Sequence, residues 1–158
     1  MNEDAVARAR ACVGARFRPQ GRSIVHGLDC VGVIMVAWDL PAVRVRGDYR
    51  LRQRGFEEIE AELGMFFTSV PASMPEAGDV LLVDAGRGQP HVIVLTPEGY
   101  IHAEAGVRKV VEVPGAVSWP VRSAWRHPDS PHPNPAGRLS GPSGARSSCP
   151  APEGEGRF

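Results

Sequence analysis

The sequence contains no apolar stretch that approaches the roughly 20 residues a helix needs to cross a bilayer. It also has no excess of charge, because 18 basic residues balance 18 acidic ones. A balanced charge removes the usual electrostatic reason to expect nucleic acid or an anionic membrane surface as a partner. The N-terminal residues, MNEDAVARAR, are charged rather than apolar, so we expect no secretory signal peptide and synthesis in the cytoplasm.

Cysteine is scarce, with three residues in a chain of 158. The uneven placement of Cys12, Cys30 and Cys149 is unlike a disulfide framework, and no cysteine or histidine spacing resembles a zinc site. We therefore expect neither a metal nor a cofactor. Cys12 lies on or beside the apolar face of a helical pattern, which favours a small buried side chain. Cys30 is left as the thiol whose chemistry needs an explanation.

Composition divides the chain into two regions. Residues 128–158 are dense in Pro, Gly and Ser, and Leu139 and Phe158 are their only large apolar side chains. Such a segment buries too little apolar surface to offset the entropy of ordering it, so we predict a disordered tail. Cys149 belongs to this tail and is interpreted as incidental. We predict that residues 1–127 form one folded domain.

Within the predicted domain the hydrophobic pattern changes from helical to strand-like. Helical spacing and capping signals predict three helices, over residues 2–16, 29–40 and 49–67. Short β-branched segments then predict an antiparallel meander of five strands: DVLLVD, HVIVLT, YIHAEA, VRKVVEV and VRSAW. Helices followed by antiparallel strands indicate the α+β class, with the N-terminal helices packed on the sheet.

Cys30 lies between an aspartate and the longest apolar run of the chain. If Asp29 caps the second helix, Cys30 occupies the first turn, where unpaired amides and the helix dipole favour thiolate over thiol. A nucleophilic cysteine needs a base within hydrogen-bond reach, and that base needs a group that orients it. The alternative from the residues alone is a packed structural cysteine.

Two histidines are candidates for that base. His91 opens one predicted strand and His102 lies in the next. If Ile93 faces His102, both imidazoles share one face of the hairpin as diagonal neighbours, whereas a slip of one residue separates them. The turn Pro97–Gly99 is compatible with more than one geometry, so the sequence leaves the register open. The alternative for each histidine is a polar residue at a strand end.

Three segments in this order, LDCVGVIMVAW, AGDVLLVD and HVIVLTPEGYIHA, resemble the NlpC-type family of cell-wall cysteine peptidases. The resemblance runs from Ala5 to Arg126. It implies a papain-like α+β fold with Cys30 as nucleophile, His91 as general base and His102 as the residue that orients the His91 ring. It also implies hydrolysis of amide bonds in peptidoglycan stem peptides, often between D-glutamate and the diamino acid.

The sequence departs from the family at one position of chemical interest. Members commonly carry a tyrosine about a dozen residues before the cysteine, where Phe17 lies here, and a phenyl ring cannot donate a hydrogen bond to an oxyanion. Gln20 is the available replacement as oxyanion donor, and the alternative interpretation of this residue is a solvated loop glutamine. Phe17, Arg22 and Asp29 are candidates for substrate binding, although a solvated basic loop explains the arginine equally well.

The stretches RFRPQGR, YIHA and VRSAWRHP resemble most the small NlpC-type proteins encoded among tail genes of phages and gene transfer agents. This resemblance implies a tail component that reaches the cell wall from outside the recipient cell, with other tail proteins as partners. Two alternatives stay open. One is a structural tail-tip protein with little or no catalysis, and the other is a related amidase or acyltransferase.

Overall fold

A helical layer lies against one antiparallel sheet in the computed structural model, which describes residues 1–41 and 54–129. The elements in chain order are α1 (Glu3–Ala11), β1 (Arg22–Ser23), β2 (Gly27–Leu28), α2 (Cys30–Trp38), α3 (Phe56–Leu63), β3 (Thr68–Val70), β4 (Val80–Asp84), β5 (Pro90–Leu95), β6 (Gly99–Glu104), β7 (Lys109–Pro114) and β8 (Val121–Arg126). The predicted α+β class is confirmed. Of the predicted domain and tail, residues 42–53 and 130–158 lie outside the described residues.

Helix α1 begins where its cap is satisfied. The Asn2 side chain accepts a hydrogen bond from the backbone N–H of Ala5 at 3.0 Å, and acidic residues occupy the first turn. The predicted helix continues to residue 16, but α1 ends at Ala11. Gly14 then takes a positive φ of 88° and donates its N–H to the carbonyl of Val110, so the chain turns toward the sheet instead of continuing the helix.

Helix α2 is apolar on nearly every side, as expected for a helix inside the core. It ends at Trp38 because Asp39 adopts a left-handed conformation with φ of 51°, two residues before the expected stop at Pro41. Helix α3 covers the middle of the predicted third helix: it begins at Phe56 and ends at Leu63, so the prediction of a helix up to residue 67 is wrong at that end. Residues 49–53 of the prediction lie outside the described residues.

The sheet contains six strands in the order β3-β8-β4-β5-β6-β7. Strands β4 to β7 form the predicted meander, but β8 pairs with β4 and β3, which makes the prediction of a simple five-strand meander wrong. Short β3 was not predicted and closes the β8 edge. The reason is long-range pairing: β8 follows β7 in sequence, yet its partner β4 precedes it by about four elements.

Two apolar clusters cover the two faces of the sheet. The larger one joins the helices to one face and contains Val92, Val94 and Ile101. The smaller one covers the opposite face and contains Ile93 and Tyr100. Alternating strand residues thus point to opposite sides, as the pleat requires. Within the described residues, no helix is long and apolar enough to cross a membrane.

Candidate active site

The cap of α2 fixes the position of Cys30. The side chain of Asp29 accepts a hydrogen bond from the backbone N–H of Gly32 at 2.8 Å, which confirms the predicted N-cap and makes Cys30 the first residue of the helix. A Cβ on Gly32 would lie 2.2 Å from the carbonyl oxygen of Gly21. The glycine therefore permits the close approach of α2 to the preceding loop that brings Cys30 to the sheet.

Asp29 is buried, with 2 % of its surface exposed, and its carboxylate is fully engaged within the chain. One oxygen accepts from the Gly32 amide and from Arg22 Nη1 at 2.7 Å, and the other accepts from the backbone N–H of Gln20 at 2.9 Å. Burial raises the pKa of this carboxyl, while the charge of Arg22 lowers it. In the structure Asp29 and Arg22, both candidates for substrate binding, therefore form an ion pair with each other.

The sulfur of Cys30 is shielded from water, since the residue is 3 % exposed. Burial, followed by the nearby Asp29 carboxylate, raises the pKa of the Cys30 thiol to about 12, and the backbone amides of Val92 and Val31 lower it only in part. The backbone amides at the start of α2 favour the thiolate, as predicted, but burial opposes them. Desolvation exceeds the stabilisation that the amides provide, so the resting form is the thiol.

The two imidazoles lie together on the hairpin formed by β5 and β6. Val94 pairs with Ile101 and Leu95 with Tyr100, and one residue further this register brings Ile93 opposite His102. His91 Nε2 is 3.0 Å from His102 Nδ1, and the ring centroids are 5.1 Å apart. Of the two registers that the sequence left open, the structure adopts the one that places both rings on one face.

The hairpin opens at the point where these rings meet. Pairing between β5 and β6 stops at Val94–Ile101, whereas β4 and β5 pair over five residues. Beyond the last pair, the backbone N–H of Val92 lowers the pKa of the Cys30 thiol, so this amide lies close to the sulfur. Cys30 thus lies against the residue that follows His91, at the opening between the two strands.

Aromatic rings enclose the histidine pair. The centroid of Trp119 is 5.6 Å from that of His91 and 5.3 Å from that of His102, and Tyr100 lies 5.6 Å from His102. Burial, followed by the neighbouring His102, lowers the pKa of His91 to about 3. Burial also lowers the pKa of His102. Both rings are therefore neutral at physiological pH, which is the form in which a histidine can accept a proton.

Neutral His91 has one ring nitrogen engaged with His102 and one that is not. Nε2 is shared with His102, and Nδ1 makes no hydrogen bond to any of the described residues. Within residues 1–41 and 54–129, no hydrogen bond joins the thiol of Cys30 to either imidazole. Hydrogen bonds between nucleophile and base are often long in substrate-free enzymes, and Nδ1 is the nitrogen available for one.

Comparison with solved structures gives the fold. The P60 domain of an antigen from M. avium subspecies paratuberculosis has a TM-score of 0.54 and 18 % identity, with 78 % of this chain and 92 % of that chain covered. The chain has the fold of an NlpC/P60 domain. The peptidoglycan hydrolase RipB from Mycobacterium tuberculosis has a TM-score of 0.51 and 21 % identity, over 78 % of this chain and 63 % of that one.

An NlpC/P60 family protein from Bacillus cereus has a TM-score of 0.52 and 20 % identity, over 79 % of this chain and 39 % of that one. No protein-family model matches the sequence, and no curated protein matches it. Structural likeness at identities in this range establishes the NlpC/P60 fold, and the chemistry has to be argued from the site itself.

The remaining residues that the sequence predicted for the site, Phe17 and Gln20, lie on the loop before β1. Phe17 is half-buried and packs against the core cluster that contains Cys30, with its backbone N–H donated to the carbonyl of Arg108. Gln20 is exposed and has a positive φ of 59°. Its backbone N–H is donated to Asp29, so any role in binding an oxyanion falls to its side chain.

Sequence reasoning missed two residues that surround the imidazoles. Trp119 comes from the β7–β8 connection and reaches both rings through a contact that no local pattern indicates. Glu104 lies two residues after His102 on β6, and its Oε2 is 3.9 Å from His102 Nε2. The period of two along a strand would have placed Glu104 on the face of His102. Among the described residues, no cluster of acidic, cysteine and histidine side chains could hold a metal.

Proposed function

We propose that this protein is a cysteine peptidase that hydrolyses amide bonds in peptidoglycan stem peptides. The observation that carries the proposal is the opening between β5 and β6, where the amide of Val92 lies close to the sulfur of Cys30 and the preceding residue, His91, is hydrogen-bonded to His102. A thiol, a neutral imidazole and a second imidazole that orients the first are the three components of nucleophilic acyl transfer. The substrate class is supported by the likeness to the peptidoglycan hydrolase RipB.

The protonation states favour attack by general-base catalysis over a preformed ion pair. As the sulfur bonds to the carbonyl carbon of the substrate, the thiol proton passes to Nδ1 of His91, and His102 supports the imidazolium. The tetrahedral intermediate expels the amine, which leaves with the proton from His91 and produces a thioester on Cys30. Water then attacks the thioester with His91 again as base, which releases the acid and restores the thiol of Cys30.

The finer assignment follows from the resemblance of the motifs. We place the scissile bond between D-glutamate and the diamino acid of the stem peptide, and we place the protein in the tail of a phage or a gene transfer agent. The stretches RFRPQGR and VRSAWRHP support the tail role. Co-sedimentation of the protein with assembled particles tests it, and its absence from purified particles would contradict it.

A related amidase or acyltransferase would use the same cysteine and imidazoles and would differ in the group that the site binds. Together with Val31 and Val92, the neighbours of Cys30 and His91, side chains of α2 and α3 line an apolar recess of about 30 Å³. A recess of this size holds about one water molecule and no acyl chain, so it gives no support to acyl transfer from a lipid-like donor.

Phe17 and the buried thiol favour a third candidate, a structural tail-tip protein with little catalysis. A site that lacks one oxyanion donor loses about 10²–10³ in kcat. The free protein also keeps its sulfur shielded from solvent. Incorporation of the Cys30→Ala protein into particles, without any cleavage by the wild type, would support this candidate.

The deciding experiment compares two cysteine variants. Purified muropeptides are incubated with wild type, Cys30→Ala and Cys12→Ala, and new amino groups are followed by mass spectrometry. We expect Cys30→Ala to lower the rate by a factor on the order of 10³ or more, because the covalent step disappears. Cys12 is also buried but lies at the C-terminal end of α1, immediately after its last residue, so Cys12→Ala controls for the loss of a buried thiol.

Each outcome has a defined meaning. Cleavage by wild type and by Cys12→Ala, but not by Cys30→Ala, supports the peptidase. Equal cleavage by Cys30→Ala and wild type would overturn it, as would no cleavage by a folded wild type at any pH between 6 and 9. The mass of the released fragments identifies the bond and thereby tests the assignment to D-glutamate.

A further inference from the structure

The hydrogen bond between His91 and His102 allows two arrangements of protons. In the first, Nε2–H of His91 donates to Nδ1 of His102, so Nδ1 of His91 keeps its lone pair and His102 carries its proton on Nε2. In the second, Nδ1–H of His102 donates to Nε2 of His91, and Nδ1 of His91 carries a proton. The distance of 3.0 Å fits both arrangements equally well. Only the first leaves a base on Nδ1.

Glu104 distinguishes the two arrangements electrostatically. Its Oε1 accepts the backbone N–H of Gly106 at 2.8 Å, within the turn that joins β6 to β7. Its Oε2 lies 3.9 Å from Nε2 of His102. The turn therefore holds the carboxylate with one oxygen facing the imidazole. A negative charge there attracts a proton on Nε2 and repels the lone pair that the second arrangement would place there.

Burial strengthens this discrimination. His102 is 3 % exposed, and the rings of Tyr100 and Trp119 pack against it at centroid distances of 5.6 and 5.3 Å. Water has little access to Nε2 itself, while the Glu104 side chain is 37 % exposed, so solvent weakens the effect of its charge without removing it. The ionisable side chains that face His102 are His91, Tyr100 and Glu104. Of these, Glu104 is the one with a negative charge at neutral pH.

We propose that Glu104 is a positioning residue that keeps the proton of His102 on Nε2 and thereby leaves Nδ1 of His91 free to act as a base. Its value for catalysis rests on the proposed function, whereas the proton arrangement is a property of the free protein. Glu104 touches neither the sulfur nor the substrate in this scheme, and it acts through the two imidazoles.

The test reads the tautomers directly. Full-length protein with ¹⁵N-labelled histidine is studied at pH 7.5 by long-range ¹H–¹⁵N correlation, with signals assigned from His91→Asn and His102→Asn variants. We expect the wild type to carry protons on Nε2 of both rings. In Glu104→Gln the charge is lost, and we expect a several-fold rise in the population with a proton on Nδ1 of His102. Glu104→Asp, which keeps the charge, should restore most of the wild-type pattern.

A matched control removes another carboxylate of the same sheet. Glu112→Gln on β7 breaks an ion pair with Arg10. Glu112 pairs with Ile101, the residue before His102, so its side chain lies on the opposite face of the sheet from the imidazoles and the substitution should leave both tautomers unchanged. A wild type with the proton on Nδ1 of His102 would overturn the proposal. So would a Glu104→Gln pattern identical to wild type in a protein whose circular dichroism and thermal unfolding are unaltered.

Assays of muropeptide cleavage separate this inference from the proposed function. If Glu104→Gln changes the tautomers but the wild type cleaves nothing, the positioning role stands and the peptidase assignment fails. If the wild type cleaves and Glu104→Gln leaves the tautomers unchanged, the positioning role fails and the peptidase stands. If both hold, Glu104→Gln should lower kcat several-fold with little change in KM, since the substrate does not contact Glu104.

Discussion

Helices α1 and α2 each carry a buried free cysteine, at opposite ends. Cys12 follows the last turn of α1, and its thiol donates to the carbonyl oxygen of Arg8 at 3.4 Å. Cys30 opens α2, where backbone amides of Val31 and Val92 are directed to its sulfur. Burial raises the pKa of the Cys12 thiol to about 11, and burial together with Asp29 raises that of Cys30 to about 12.

The difference between the two thiols therefore lies in their partners and not in their resting protonation. The helix carbonyl beside Cys12 can only accept a hydrogen bond, which stabilises the neutral thiol. The amides beside Cys30 can only donate, so they stabilise negative charge on sulfur as it develops. A cysteine can thus be prepared for attack although it is not ionised beforehand, and the location at a helix start alone does not reveal its pKa.

The rate of alkylation at each cysteine, measured as a function of pH, is the test of this comparison with the largest expected effect. Because both sulfurs are buried and both pKa values are raised, we expect iodoacetamide at pH 7.5 to modify Cys30 about 10²-fold more slowly than free cysteine, and Cys12 somewhat less slowly than Cys30. Both rates should keep rising above pH 9. Peptide mapping by mass spectrometry separates the two sites from Cys149.

The informative contradiction is a plateau. If the rate at Cys30 levels off below pH 8.5 while that at Cys12 keeps rising, the helix terminus and an imidazole ionise Cys30 in the free protein, and the general-base route is wrong. Cys12 serves as the internal control for access, because it is buried to the same degree.

Local signals predicted much of the site, since they depend on residues close in sequence. The cap of α2 follows from Asp29 preceding an apolar run, and the strands carrying His91 and His102 follow from β-branched segments around one turn. The register of that hairpin could not be predicted, because the turn admits several geometries. The structure resolves it through the contact between the two imidazoles.

Contacts between distant segments could not be predicted. Insertion of β8 beside β4 depends on which strand edges remain unpaired after the meander forms, which no window of sequence encodes. Burial of Cys30 likewise depends on the approach of α2 to the loop at Gly21 and to β5. The prediction that the helix start favours thiolate included the backbone amides, which are local in sequence, and omitted desolvation, which is not local and has the larger effect on the pKa of Cys30.

The N-caps of α1 and α2 can be compared by the free energy of unfolding that each one contributes. Asp29→Ala removes three hydrogen bonds accepted at a buried position and takes this carboxylate away from the half-buried Arg22, so we expect the free energy of unfolding to fall by about 3 kcal/mol. Asn2→Ala removes one cap hydrogen bond at α1 and should cost about 1 kcal/mol. Urea denaturation measures both values.

Asp29→Asn separates charge from shape in the same assay. An amide oxygen can still cap α2, so we expect Asp29→Asn to lose less free energy of unfolding than Asp29→Ala. The loss that Asp29→Asn still shows is the contribution of the ion pair with Arg22. Equal losses for Asp29→Ala and Asn2→Ala would mean that the Asp29 network adds nothing beyond a cap, and that the position of Cys30 depends on core packing instead.

Acidification is the test with the smallest expected effect. It changes the charge of the histidine site and leaves the Asn2 cap of α1 unchanged, because an asparagine side chain does not titrate. In the unfolded chain His91 titrates near 6.5, whereas burial and His102 lower its pKa in the folded protein to about 3. Above pH 6.5 both states hold a neutral ring. Below it the unfolded chain binds a proton that the folded protein does not, so the free energy of unfolding should fall by about 1–2 kcal/mol between pH 6.5 and 5.

His91→Asn should flatten this slope, and replacement of the exposed His26 by Asn should leave it intact. A wild-type slope no steeper than that of His91→Asn would mean that the ring is solvated in solution and that the opening between β5 and β6 admits water without substrate.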